Sequence, residues 1–122
     1  MRGDIMSEFF TAFRKRDQGE IKWLKKSWLI NESLYAELQR LANEKYDATI
    51  NDLVIASIDT LIKTEDIKVF ASPNAWSVKR SFMIPADMFD KLHNLKEKYN
   101  ISHTKLINIA INNAIEADKS ND

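Results

Sequence analysis

Two short stretches of the chain place a lysine, a serine and an apolar residue at every second position. Lys25, Ser27 and Leu29 form one row, and Lys79, Ser81 and Met83 form the other. Residues at that period share one face of an extended strand. Such a face presents ammonium and hydroxyl groups to an outside partner, or it is simply a solvated sheet face. Little else in the chain has the makings of chemistry. There is no Cys, which excludes a disulfide framework, a thiolate metal cluster and a Cys nucleophile. Two Gly in the whole chain exclude a Gly-rich phosphate loop. His93 and His103 lie apart in the pattern and lack i+4 partners, so no metal is expected. The carboxylates are scattered over polar helix faces, with no pair defined for acid–base work. The expectation is a protein that is not an enzyme and carries no cofactor.

The chain has 122 residues, the length of one domain. Charged residues make up 30% and hydrophobic ones 44%, an ordinary globular balance. No apolar run approaches the roughly 18 residues needed to span a bilayer. Acids at Asp4 and Glu8 and the lack of a long apolar core argue against a secretory signal, so a cytoplasmic location is expected. Eighteen basic and eighteen acidic residues cancel, but not locally. Residues 20–30 and 78–84 each carry +2, while residues 31–66 carry three bases and eight acids, or −5. The two alternating rows are therefore basic, and the stretch after the first of them is acidic.

The elements that position these rows occur twice. Lys25-Lys26-Ser27-Trp28-Leu29-Ile30 matches Lys79-Arg80-Ser81-Phe82-Met83-Ile84 in order and type at an offset of 54. Leu34, Leu38 and Leu41 match Met88, Leu92 and Leu95 at the same offset. Thr49, Leu53, Ser57 and Ile58 match Ser102, Leu106, Ala110 and Ile111 at an offset of 53. Each copy opens with a strand, about 22–30 and 76–84, on period-2 alternation. Leu24, Trp28, Ile30, Trp76, Val78, Phe82 and Ile84 fall on the buried parity, so the aromatic residues read as core rather than as stacking platforms for bases. Lys26 and Arg80 interrupt that parity at the same place in both copies. A helix follows, about 32–45 and 86–98, with apolar residues at i, i+4, i+7. Asn31 is a fair N-cap, and Pro85 suits a first helical turn. A second helix, about 50–63 and 103–117, starts from Thr49 or Ser102 as N-cap. Thr49 with Asp52 has the form of a capping box.

The resulting division is an arm at 1–20, a first repeat at 21–63, a linker at 64–75, a second repeat at 76–118 and a tail at 119–122. A lone strand leaves its ladder groups unpaired, and a strand-helix-helix unit leaves one helix face bare. Antiparallel pairing of two copies answers both needs, within one chain or between two. The fold expected is mainly α with a short antiparallel β-ribbon. The arm sets Phe9, Phe10 and Phe13 beside Arg14, Lys15 and Arg16, consistent with a short amphipathic helix that docks on the helical core or on a second molecule.

Each copy resembles a ribbon-helix-helix DNA-binding motif. The resemblance rests on the strand ending in apolar-x-Ile-(Asn/Pro), the Leu-spaced first helix and the Thr/Ser-capped second helix, and it covers most of 22–117. The tandem form is similar to single-chain members known among conjugative-plasmid accessory proteins and archaeal-virus regulators. The resemblance implies a tandem ribbon-helix-helix architecture, an intrachain pseudo-dimer, whose ribbon enters the DNA major groove. It implies base contacts by Lys25, Ser27, Leu29, Lys79, Ser81 and Met83. A lysine donates to guanine O6 and N7, a serine donates or accepts, and Leu29 and Met83 contact a thymine methyl or leave their position unread. It implies phosphate contacts at the N-terminus of each second helix, at Thr49, Ile50 and Asn51 and at Ser102, His103 and Thr104. Lys26 and Arg80 are added as phosphate contacts because their long stems let the charge reach out. Arg14, Lys15 and Arg16 are a further candidate contact from the arm. Asp52 weakens phosphate attraction at the first helix start, so the second is expected to hold phosphate better.

The function expected is that of a double-stranded DNA-binding transcription regulator, a repressor foremost, with neighbouring molecules associating on DNA and no membrane involvement. A conjugation or partition accessory protein shares the same DNA chemistry. An antitoxin-type protein-interaction module is the alternative from another class.

Overall fold

The computed structural model describes residues 21–68 and 76–120. The arm with Arg14, Lys15 and Arg16, the linker from 69 to 75 and residues 121–122 lie outside the described residues. The described elements, in chain order, are β1 (Trp23–Asn31), α1 (Glu32–Glu44), α2 (Ile50–Thr64), β2 (Ser77–Pro85), α3 (Ala86–Tyr99) and α4 (His103–Ser120). The molecule is mainly helical. Its two strands pair antiparallel as one two-stranded sheet within the chain, with Ser27 opposite Ser81. Both strands lie one residue further along than the alternation predicts, and α4 runs three residues longer.

Local chemistry fixes the helix starts. Asn31 caps α1, its side-chain oxygen accepting from the Ser33 and Leu34 N–H groups at 3.0 and 3.2 Å. Thr49 and Asp52 form the reciprocal capping box on α2. Pro85 is the N-cap of α3 rather than a residue of its first turn, and it offers no side-chain cap bond. Ser102 Oγ accepts from the Lys105 N–H at the start of α4. The stops are less conventional. Glu65 and Asn100 end α2 and α3 in the left-handed region, with φ of 51° and 55°. Asn tolerates that conformation, whereas Glu takes it at a steric cost. The cost at Glu65 is offset by its carboxylate, which accepts from Lys98 at 2.7 Å and Tyr99 at 2.6 Å.

One core lies beneath the ribbon. Trp28, Ile30, Phe82 and Ile84 enter it from the strands, and the Trp28 and Phe82 rings stack with centroids 6.3 Å apart. Leu34, Leu38 and Leu41 enter from α1, and Met88, Leu92 and Leu95 from α3. Leu53, Ile58 and Leu61 come from α2, and Leu106, Ala110, Ile111 and Ile115 from α4. Fully burying one such Leu or Ile stabilises by about 1.5–3 kcal/mol.

Trp76 and Val78 depart from the expected core. Trp76 is 75% exposed and Val78 38% exposed. The parity is right, but it does not say how far the helices extend beneath the ribbon. The Trp76 carbonyl accepts from the N–H of Glu32, the first residue of α1, at 3.0 Å. The indole therefore sits where that helix begins, with no further turn to cover it. Leu24, at the matching end of β1, is likewise only half-buried.

Candidate nucleic-acid interface

Directly opposed residues of an antiparallel pair project to the same side. The register sets Lys25 opposite Met83, Ser27 opposite Ser81 and Leu29 opposite Lys79. These six residues occupy one face of the ribbon, and all six are exposed. The two ammonium groups lie on one diagonal and the two apolar side chains on the other, with Leu29 50% and Met83 44% exposed. The two hydroxyls meet at the centre, Oγ to Oγ, at 2.6 Å. That bond uses one donor and one acceptor, so the pair retains one O–H donor and further lone pairs for an outside partner.

Lys26 and Arg80 are on the other side of the ribbon. Lys26 Nζ lies 4.3 Å from the centroid of the Phe89 ring, and the Arg80 guanidinium lies 4.2 Å from that of Tyr35. Arg80 also donates to Glu32 at 3.4 Å. Each strand's cation thus rests on an aromatic ring from the helix that follows the other strand. Cation–π contacts of this kind contribute about 0.5–2 kcal/mol. Both cations are turned away from the six-residue face and lie against protein groups, though neither is fully buried.

The starts of α2 and α4 flank the ribbon on its two outer edges. Asn51 meets the backbone of Met83 twice, donating to its carbonyl at 3.0 Å and accepting from its N–H at 2.9 Å. On the other edge Asn108 donates to the Leu29 carbonyl at 3.0 Å and accepts from the Asn31 N–H at 2.9 Å. These amides occupy strand groups that an edge otherwise leaves open to another chain. They also fix each helix start beside the ribbon. The side chain of Asn51, expected at phosphate, is committed to this bracket.

A scan of protein-family models, a search of curated proteins and a search of solved structures return no match.

The two helix starts differ in charge and in free donors. At α2, the capping box uses the Thr49 and Asp52 N–H groups and adds a carboxylate. At α4, Lys105 stands where α2 has Asp52, at the same offset of 53. His103 replaces Ile50, and its ring lies against Phe89 with centroids 5.1 Å apart. His103 Nε2 is 3.3 Å from His93 Nδ1. Burial first, then the nearby His93, Lys96 and Lys26, hold the His103 imidazole below its ordinary pKa, with Glu97 opposing. Sequence spacing missed this pair, because α3 and α4 are joined by a sharp reversal that no helical period describes. Among the described residues no group of three or more His, Cys, Asp or Glu is placed to hold a metal. The Asn51 and Asn108 brackets were also missed. The Lys26/Arg80 and Tyr35/Phe89 pairs did leave a signal, since both recur at the offset of 54.

Proposed function

We propose that this chain is a sequence-specific double-stranded DNA-binding protein, a tandem ribbon-helix-helix transcription regulator acting as a repressor, with no catalytic role. The observation that carries the reading is the register of the ribbon. Ser27 and Ser81 are equivalent in the repeat and are also opposite each other across the sheet. In an antiparallel pair related by a two-fold, equivalent residues face each other only on the axis. The same arithmetic sets each lysine opposite the apolar residue of the other copy. In this reading the two motifs of one chain supply a pseudo-symmetric ribbon of the ribbon-helix-helix kind.

The face so formed matches what a major groove offers. Lys25 and Lys79 donate to guanine O6 and N7, and the serine pair reads the centre. From Lys25 to Leu29 the strand rises about 13 Å at 3.3 Å per residue, roughly four base-pair steps. The starts of α2 and α4 lie to either side, where the phosphate backbones would run, and supply backbone N–H groups to them. Lys26 and Arg80 serve as ribbon anchors in this reading. So short a footprint favours neighbouring molecules bound side by side. The copies are not identical, so the preferred site is an imperfect palindrome.

Selection from a random duplex library tests the proposal and yields the operator. Replacing Lys25, Ser27, Lys79 and Ser81 together with Ala should abolish selection while leaving the fold intact by circular dichroism. Unchanged affinity in that folded variant would overturn ribbon readout.

A further inference from the structure

A groove of about 1100 Å³ runs between α1, α2 and α4. Its floor includes Leu38, Leu53, Ala56, Ala110 and Ala114. Both α1 and α4 begin at the ribbon and contribute to the groove only from Leu38 and Ala110 onward, so it opens on the side away from the six-residue face. It is larger than the clefts of roughly 300–1000 Å³ that hold small ligands, and three helices wall it. Such a shape suits an amphipathic helix laid in with anchors one turn apart.

We propose that the groove is occupied by the chain's own N-terminal segment, with Ile5, Phe9 and Phe13 as anchors. Three observations point to this occupant. Ile5, Phe9 and Phe13 are spaced i, i+4, i+8, and Met6 and Phe10 widen the same apolar face. The segment also reaches. Ala86 donates to the Lys22 carbonyl, and Asn51 grips Met83 three residues away, so the arm leaves the ribbon beside the start of α2. α2 then runs about 20 Å along the groove, and residues 14–20, extended, cover about 23 Å. Finally, the charges match. Arg14, Lys15 and Arg16 follow the anchors, and the groove lining carries Asp66, Glu116 and Asp118 against Lys45 and Lys68. Glu116 on the rim is exposed. A tethered segment also competes at an effective concentration near millimolar, which favours it over a separate partner. The inference does not depend on DNA binding.

The absence of Cys makes the test clean. The full-length double variants Phe9→Cys/Ala114→Cys and Phe13→Cys/Ala56→Cys are oxidised mildly and analysed by mass. At least one should form a disulfide within a monomer, and faster than Phe9→Cys paired with Lys91→Cys on the exposed side of α3. Cross-links only between chains would overturn the proposal in favour of a second copy. Equal rates with the α3 control, or no cross-link at all, would overturn it as well. Full-length Phe9→Ser/Phe10→Ser/Phe13→Ser supplies a second, independent reading. Amide exchange at residues 56–61 and 110–117 should rise by roughly tenfold or more in this variant. Unchanged exchange there would also overturn the proposal.

Discussion

His93 and His103 lie 3.3 Å apart, so protonating both sets two like charges side by side, with Lys96 and Lys26 adding to the repulsion. Burial first, and these neighbouring charges second, hold His103 in the folded chain below the value of about 6.5 that it has when unfolded. A group depressed on folding binds its proton more readily when unfolded, so stability is lost as pH falls from about 6.5 through the folded value. Thermal melts between pH 7.5 and 5 should show this loss in the parent chain and a shallower one in His103→Gln. Identical slopes would remove the histidine pair from the account. Asp118 behaves as a second acid-sensitive point. Burial tends to raise its pKa, but hydrogen bonds from the Tyr46 hydroxyl and the Lys45 ammonium outweigh burial and hold it low. The Asp118 side chain is only 10% exposed, so removing a partner leaves a poorly solvated carboxylate. Tyr46→Phe should cost about 1–2 kcal/mol in a denaturant melt at pH 7, and the difference should shrink as the pH falls below the ordinary carboxylate range and Asp118 takes up its proton.

The ribbon's two edges depend on the helix asparagines, and Asn108 has the larger share. It accepts from Asn31 and donates to both Leu29 and Thr104. Asn108→Ala strands the part-buried Asn31 N–H and should destabilise by about 2 kcal/mol. Asn108→Asp keeps the acceptor and should recover part of that loss. At the helix starts, Asp52→Lys gives α2 the residue that α4 carries at Lys105. It removes one arm of the capping box, at about 0.5–1 kcal/mol. If phosphates run there, DNA affinity should rise and its logarithmic salt slope should steepen by about one phosphate. An unchanged slope would place the DNA backbone elsewhere. Elements on this scale were readable from the sequence, because each carries a period and a cap. The Leu spacing of α1, the Thr49–Asp52 box and the recurrence at 54 fixed type and order. Legibility ended where one element meets another. Parity gave Trp76 its side of the strand, but the point where α1 begins decides whether anything covers it. The rings beneath Lys26 and Arg80 belong to helices of the other copy, so no spacing within one copy shows them. Asn51 and Asn108 meet the strands across 32 and 77–79 residues, a distance at which no local pattern can speak.

At the scale of the molecule, a net charge of zero separates two kinds of binding. The two strands carry four bases and no acid, and residues 31–66 carry eight acids against three bases, so the face proposed for DNA is positive while the whole is neutral. Non-specific affinity, which tracks the number of phosphates neutralised, should be weak against specific affinity. Joining both ribbon strands in one chain has a further consequence. A dimer of single motifs gains stability with concentration, because folding and association are one equilibrium. Here β1 and β2 pair within the chain, and the core draws on all four helices. Neither half keeps a paired strand or a closed core without the other, so the two should unfold together in a single transition. The midpoint should then stay fixed over a hundredfold range of protein concentration. A midpoint that climbs with concentration would mean that the strands exchange between chains. The ribbon would then be completed by a second molecule rather than by the second repeat.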